Sequence, residues 1–494
     1  MKKKDKLIDG IEKKNILVLG LGKSGLSVLE KISPLCKKIK AVDTNPDYVK
    51  SESLNRLEKQ TDIELYLGRL DFSPEDLLKN TDIVIVSPGV PSGHELVKSS
   101  KKRKIPVISE IEFAWQLMSE NQKRNTVAVT GTNGKTTLTS FLGLVFNNAG
   151  RKAVTCGNIG NPLIDTFNFK YRYHETDTYV EEDEIIRIIE ISSFQLENII
   201  SFSPFCSIIL NITEDHIDRH RSMINYAETK FNISRFQSEK DYLILNTDDG
   251  YTVKMIESSN FRSIKSKKIY FSLERNKNSD LFSKDEILFY DFGRKKGSIN
   301  ISERKLIGSH NISNLLAGLG ALKIFEIEDR YIEESVKDFN PLPHRLEFVG
   351  EVNGIKCFND SKATNPDATL KALENFPEGI TLILGGLDKG MDFSSLMPVL
   401  RKKARNIILI GACRFRLSEM LDSDKDSFNS VIISNSFEEA VRKGIEVSEK
   451  GSYFILSPSC ASMDMFRDYK DRGEKFRGIL KEIKNQTQSG RKNV

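Results

Sequence analysis

One stretch constrains this 494-residue chain more than any other: Thr126-Val-Ala-Val-Thr130-Gly131-Thr132-Asn133-Gly134-Lys135-Thr136-Thr137. Its first residues read as a buried strand, and a glycine turn then opens a helix. Backbone N–H groups of such a turn sit at the positive end of the helix and can cradle phosphate oxygens. Lys135 would reach the β and γ phosphates, and Thr136 would offer a hydroxyl to Mg²⁺. The usual spacing G-x-x-x-x-G-K-[ST] asks for glycine at position 129, where Val129 stands, so a strict pattern misses the loop. Strand, glycines, lysine and hydroxyls in working order imply a nucleoside triphosphate. They leave the reaction open.

A loop of this kind belongs to a parallel α/β sheet. Short β-branched runs with helical segments between them recur at 16–19, 83–86, 126–130, 185–189, 207–210, 242–245, 381–384, 407–410 and 453–456. They fall into three groups, each with a strand running into a glycine turn, at 20–25, 131–135 and 385–386. At roughly 100 to 200 residues per domain, the length also suits three. The expected architecture is α/β in three domains: a Rossmann-like domain over 1–107, a central P-loop ATPase-like parallel-sheet domain over 108–341, and a Rossmann-like C-terminal domain over 342–494. Pro106-Val-Ile-Ser109 and Pro341-Leu-Pro343 mark the breaks. The polar, acidic stretch 170–184 reads as a surface insertion. The Lys- and Ser-rich stretch 257–300 yields no function.

Composition narrows the partners. With 74 basic and 69 acidic residues the net charge is only +5, so no nucleic-acid footprint covers the chain. The short basic clusters at 1–6 and 98–104 read as solvated surface. Cys36, Cys156, Cys206, Cys357, Cys413 and Cys460 lack C-x-x-C spacing, which argues against a disulfide framework or zinc knuckle and suits a reducing cytoplasm. No stretch approaches the ~20 apolar residues of a membrane span, and no apolar core follows the Lys-rich start. A cytoplasmic, monomeric protein with small-molecule partners is expected.

Gly20-Leu-Gly22-Lys-Ser-Gly25 follows the first run, and Asp43 ends the next, a dinucleotide fingerprint that invites hydride transfer. The turn's physics asks only for a diphosphate on a helix N-terminus, so a UDP-sugar fits as well as a nicotinamide dinucleotide. A second, complete phosphate loop sits awkwardly with a dehydrogenase. The run 185–189 leads into Glu190, which places a carboxylate where α/β sheets bind ligands and where it could complete the shell of an ATP-bound magnesium. His216 and His220, four apart, could face one way on a helix and suggest zinc, but the glutamate of H-E-x-x-H and a third ligand are missing. A histidine beside magnesium or phosphate is the better reading. By spacing alone, Lys230 is a helix-surface lysine.

Read together, Gly131-Thr-Asn-Gly-Lys-Thr136, Gly157-Asn-Ile-Gly160, Glu190-Ile-Ser-Ser-Phe-Gln-Leu196, Asn211-Ile-Thr-Glu-Asp-His-Ile-Asp-Arg219, His310-Asn311, Leu342-Pro-His-Arg345 and Asn359-Asp-Ser-Lys-Ala-Thr-Asn365 resemble, in their order, the Mur ligase family. The short first domain with its Gly-Leu-Gly-Lys-Ser-Gly turn and the late run Leu456-Ser-Pro-Ser-Cys-Ala-Ser462 to Tyr469 resemble the D-glutamate-adding branch. The Asp-Asn-Pro-Arg motif of the diaminopimelate- or lysine-adding branches is absent.

This resemblance implies an ATP-dependent ligase that adds D-glutamate to UDP-N-acetylmuramoyl-L-alanine through an acyl phosphate, in peptidoglycan precursor synthesis. It implies catalytic roles for Lys135, Glu190, His216, Lys230 and Lys362. ATP would be held by Gly131, Thr132, Asn133, Gly134, Lys135, Thr136 and Thr137, with Asn311, Asn314, Arg345 and Asp360. The UDP substrate would meet Lys23, Ser24, Asp43, Thr44, Ser87, Gly89, Asn158 and Ser192. D-Glutamate would meet Lys362, Thr364, Lys389, Ser462 and Tyr469, the last a phenylalanine in the best-known relatives. Two Mg²⁺ ions are implied, one on Thr136 and Glu190 and one on His216 and Lys230, with Lys230 carbamylated by CO₂ into an oxygen ligand. Other amino-acid-adding Mur ligases, folylpolyglutamate synthetase and a nucleotide-binding protein without turnover are the alternatives.

Overall fold

Runs of Val, Ile and Leu that are apolar on both faces are buried where helices cover both sides of a sheet. Three such sheets form in the computed structural model, which describes residues 7–47, 57, 62–68, 73–166, 183–422 and 425–490. The first contains β1 (Asn15–Leu19), β2 (Lys38–Asp43), β3 (Ile63–Leu67), β4 (Ile83–Val86) and β5 (Val107–Ser109), all parallel, in the order β3-β2-β1-β4-β5. The order in which successive strands are added switches from one side of β1 to the other between β1 and β4, the crevice where doubly wound sheets bind ligands.

The central sheet has nine strands: β6 (Thr126–Thr130), β7 (Ala153–Gly157), β8 (Ile186–Glu190), β9 (Cys206–Ile209), β10 (Tyr242–Asn246), β11 (Lys267–Ser272), β12 (Leu281–Lys284), β13 (Ile287–Phe292) and β14 (Lys295–Asn300). Their order is β14-β13-β12-β11-β10-β9-β6-β8-β7, so the strand feeding the phosphate loop lies between β8 and β9, with every residue buried. The Lys- and Ser-rich stretch supplies β11 to β14, and β12, β13 and β14 pair antiparallel. Its periodicity is weak because these edge strands mix buried with solvated positions, unlike the wholly buried β6, β8 and β9. β8 runs one residue later than 185–189. Glu190 pairs with Val129 and is therefore a strand residue, not the first residue of the loop.

The third sheet contains β15 (Glu347–Val352), β16 (Ile355–Asn359), β17 (Ile380–Gly385), β18 (Ala404–Ile410), β19 (Ser430–Ile433) and β20 (Tyr453–Leu456), in the order β15-β16-β20-β17-β18-β19. Only β15–β16 is antiparallel. Apolar cores cover both faces, one around Leu382, Phe393 and Leu417 and the other around Ile383, Phe454 and Phe476.

By packing, the chain falls into two compact units. One comprises Met1–Ile212, Ile224–Asn300 and Asn314–Ser335 and holds the first two sheets; the other comprises Thr213–Met223, Ile301–Ser313 and Val336–Val494 and holds the third. Within the first unit, the fully buried Glu112 accepts the N–H groups of Ile200, Ser201 and Phe202 at 2.9, 3.0 and 2.9 Å. Such charge-assisted bonds repay the desolvation of a buried carboxylate and fix the helix Glu110–Leu117 to the central sheet. Among the described residues no helix is long and apolar enough to cross a membrane. The basic cluster at 1–6 and nearly all of the acidic stretch 170–184 lie outside the described residues.

Candidate functional site

The phosphate loop is held by a residue from the neighbouring strand's end. Asn211, two residues beyond β9, accepts the Asn133 N–H on its Oδ1 at 2.8 Å and donates its Nδ2 to the Asn133 carbonyl at 3.1 Å. Its own carbonyl accepts the Thr132 N–H at 2.9 Å. Gly134 caps the helix Lys135–Asn148 with φ 84, and a Cβ there would stand 2.3 Å from Asn314 Oδ1. Both the left-handed backbone and the close amide demand glycine. Lys135 Nζ donates to the carbonyls of Gly131 and Thr132, each at 2.7 Å. Thr137 is buried, and the Thr136 carbonyl accepts the Thr139 hydroxyl at 3.1 Å.

Glu190 ends β8 beside β6. It is buried; Oε1 accepts Asn158 Nδ2 at 2.8 Å, and Oε2 is enclosed without a hydrogen-bond partner among the described residues. A buried carboxylate oxygen left open is costly, and a hard divalent cation is the ligand it suits. Asn158 is thus held by Glu190 twice, since its backbone N–H also reaches the Glu190 carbonyl at 2.8 Å. Ser192 and Gln195 form a capping box on the short helix Ser193–Leu196.

Lys230 is not a surface lysine. It is 2% exposed, donates to the Gly131 carbonyl at 2.9 Å and lies 4.4 Å from the centroid of the Tyr226 ring. It sits on the buried face of the helix Met223–Phe231, which spacing alone did not distinguish from the solvated one. An ammonium seldom occupies such a place without a purpose.

At the first sheet's crevice, Asp43 accepts the Leu21 N–H on Oδ2 at 2.6 Å and the Asn45 N–H on Oδ1 at 2.8 Å. Ser87 Oγ donates to the Gly20 carbonyl at 2.7 Å, joining the ends of β1 and β4. Ser24 is half-buried, and Thr44 and Gly89 are exposed. Lys23 Nζ donates to the Gly160 carbonyl and to Asn161 Oδ1, the latter at 3.3 Å, so it links the first glycine turn to the loop after β7.

In the second unit, His216 takes φ 56 and stands outside the four-residue helix Ile217–His220. The two histidines therefore do not share a helical face, which removes the geometric basis for the zinc motif. His216 Nε2 lies 3.5 Å from Asp215 Oδ2, and Lys389 Nζ lies 3.8 Å from Asp215 Oδ1. Among the described residues no three His, Cys, Asp or Glu side chains gather as a metal cage. Asp360 accepts Ser457 Oγ at 2.8 Å and the Leu346 N–H at 3.2 Å, and burial pushes its carboxyl up to about 7. Asn311 Nδ2 donates to the Ile307 carbonyl at 2.7 Å, and Arg345 is half-buried in the turn after Leu342.

Lys362 Nζ lies 3.8 Å from the Tyr469 ring centroid, a cation–π contact. Thr364 is half-buried, and Ser462 is 2% exposed. Arg472, fully buried, binds the Ser361 hydroxyl and carbonyl at 2.9 and 2.8 Å and the Cys460 carbonyl at 3.1 Å, thereby fixing the neighbours of Lys362 and Ser462. Sequence reasoning assigned neither Asn211 nor Arg472. Asn211 opened a motif after an apolar strand and could have been found; Arg472 lies in a charged helix with nothing to distinguish it.

The same succession of parts recurs in known proteins. Three family models match: the Mur ligase MurD-like N-terminal domain over 14–109, the Mur ligase middle domain over 129–322, and the Mur ligase glutamate ligase domain over 344–460. The UDP-N-acetylmuramoylalanine--D-glutamate ligase of Caldanaerobacter subterraneus subsp. tengcongensis is 37% identical over 474 residues, spanning 96% of this chain and 99% of the relative. Among solved structures, the UDP-N-acetylmuramate-alanine ligase MurC of Thermotoga maritima matches with a TM-score of 0.55 at 18% identity, covering 95% and 99% of the two chains. The MurF ligase of Thermotoga maritima in complex with ADP matches at 0.51 and 14%, covering 97% and 99%. At such identities the structural likeness shows the fold alone.

Proposed function

The chain belongs to the Mur ligase family, and from that premise we propose that it joins the amine of D-glutamate to the L-alanyl carboxylate of UDP-N-acetylmuramoyl-L-alanine, consuming ATP. The observation that carries the ATP chemistry is the phosphate loop with the open Glu190 oxygen on the adjoining strand.

A carboxylate resists amines because its negative charge repels them and its oxygen leaves poorly; phosphorylation removes both obstacles. The L-alanyl carboxylate attacks the γ-phosphorus of ATP, and the bond to ADP breaks. Lys135, released from the Gly131 and Thr132 carbonyls, spreads the charge developing on the phosphoryl oxygens. The neutral amine of D-glutamate then attacks the acyl carbon, phosphate leaves with the acyl C–O electron pair, and the amine gives up its proton. Acyl phosphates hydrolyse, so water has to be kept out while one exists.

Thr136 and Glu190 would hold one Mg²⁺, and His216 with carbamylated Lys230 a second. Bound magnesium supplies charge neutralisation on the β and γ phosphates. Lys230, buried against the Gly131 carbonyl, would be carbamylated through its neutral amine, which adds to CO₂, loses a proton and becomes an anion that no longer repels a cation. Asn311, Asn314, Arg345 and Asp360 would hold the adenosine side of ATP. Lys23, Ser24, Asp43, Thr44, Ser87 and Gly89, with Asn158 and Ser192, would hold the UDP substrate. The two carboxylates of D-glutamate call for the cations of Lys362 and Lys389 and the hydroxyls of Thr364, Ser462 and Tyr469.

We take the domains as 1–107, 108–341 and 342–494 and the enzyme as a cytoplasmic monomer. Phosphate release from ATP with UDP-N-acetylmuramoyl-L-alanine, comparing D-glutamate, L-glutamate and meso-diaminopimelate, tests the whole. Release with D-glutamate alone is expected. Release with another acceptor would move the enzyme to a different step, and release with none would leave only a nucleotide-binding protein.

A further inference from the structure

Four of the six thiols are isolated, and burial raises them all, Cys36 and Cys357 to about 12. The other two differ. Cys413 follows β18 and Cys460 follows β20, strands that flank β17 in the third sheet. Their sulfurs lie 3.2 Å apart across 47 residues of sequence. Closing to a disulfide bond of about 2.05 Å needs only a small further approach.

The surroundings tie this pair to the acceptor end of the sheet. The Cys413 N–H donates to the Gly386 carbonyl at 3.0 Å, and the Leu387 N–H donates to the Ala461 carbonyl at 2.9 Å. Arg472 grips the Cys460 carbonyl. The turns after β17, β18 and β20 therefore form one bonded group, with Ser462 two residues beyond Cys460 and Lys389 two residues beyond Leu387. Ala412, beside Cys413, is exposed, which gives a small oxidant an approach from the turn.

We propose that Cys413 and Cys460 form a reversible disulfide that restrains the amino-acid acceptor site. The two sulfurs share a hydrogen bond, and Cys413 lies beside the exposed Ala412, so Cys413 is the sulfur that reacts first. With a low-molecular-weight disulfide, the Cys413 thiolate attacks one sulfur and expels one thiolate. Cys460 then loses its proton and attacks Cys413, expelling the second small thiolate. One S–S bond breaks and one forms; two protein thiols are oxidised and two small thiols are produced.

Restraint of the acceptor site rests on the assignment of Ser462 and Lys389 to D-glutamate; formation of the bond does not. The full chain would be treated with diamide, whose N=N bond accepts the two electrons and two protons, then denatured, alkylated and digested for mass spectrometry. A Cys413–Cys460 linked peptide lacking two hydrogens, removed by dithiothreitol and absent from Cys413→Ser, is expected. Recovery of both residues fully alkylated after diamide would overturn the proposal. The oxidised chain should show a several-fold higher KM for D-glutamate than the reduced chain, with Cys413→Ser indifferent to diamide. A linked chain with an unchanged acceptor KM would overturn the restraint. Absence of D-glutamate dependence in the reduced chain would instead refute the acceptor assignment, leaving the peptide result to stand.

Discussion

The two glycine turns of the first unit look alike in sequence and are built differently. The turn after β1 binds its own acid: Asp43 takes the Leu21 N–H, and the helix Lys23–Ile32 starts from an extended Gly22. The turn after β6 contains no acid. Asn211, a neutral amide, braces it from outside, Gly134 is left-handed, and Lys135 folds back onto the loop carbonyls. A turn that already accommodates a carboxylate suits a ligand that also presents sugar hydroxyls, whereas one supplied with a cation suits the more highly charged triphosphate end. Glycine spacing does not separate these two uses; the side chains that brace the turns do.

The sharpest break between them is Lys135→Ala, which should lower ATP turnover by about 100- to 1000-fold, as expected when one charge-stabilising donor is lost. The thermal midpoint should hold, measured beside phosphate release. Gly25→Ala should do the opposite. A Cβ there would stand 2.0 Å from the Gly20 carbonyl, and the overpacking should cost about 3 kcal/mol or more in denaturant unfolding.

Glu110 lies at the junction between the two turn-bearing sheets. Its Oε1 accepts the Ile164 N–H at 2.9 Å, and burial pushes its carboxyl up from 4.5 to about 7. Between those values the folded chain keeps a proton that the unfolded chain has lost, so stability falls as pH rises through that window and then levels off. Glu110→Gln, neutral throughout, should flatten its share of the slope and be more stable than the parent at pH 8 by up to about 3 kcal/mol. Unfolding at pH 5 and pH 8 compares the two. A variant with an unchanged slope would exclude Glu110 as its source.

Asn211→Ala should raise the KM for ATP about tenfold, the scale of one or two lost hydrogen bonds, and leave that for the UDP substrate alone. Asp43→Asn should shift the UDP substrate and spare ATP. If both variants moved both constants, the two turns would not be separate sites. Smallest of all, Gly22→Ala meets nothing within 4 Å at a φ of −60, and should change stability by no more than about 0.5 kcal/mol.

Most of the three-sheet architecture was legible because parallel strands buried on both faces leave uninterrupted β-branched runs. The runs 83–86, 126–130 and 453–456 coincide with β4, β6 and β20. The hairpins β12 to β14 were not legible, since only Leu281, Leu288, Tyr290 and Ile299 among their positions are buried and a lysine there reads as loop. In the candidate site, Lys135, Glu190 and Asn158 announce themselves by motif. Burial of Lys230 depends on which face of its helix meets the phosphate loop, and the hold of Arg472 on Ser361 spans 111 residues of sequence. Neither follows from local spacing. His216 failed as half of a helical pair because its left-handed backbone ends the pattern that spacing assumed.

The three bonds from Asn211 bear on the thermodynamics of nucleotide capture. A loop anchored through Thr132 and both backbone groups of Asn133 has surrendered most of its backbone freedom during folding. Little ordering entropy is then left to oppose ATP at the moment of binding, so more of the interaction energy with the phosphates can appear as affinity.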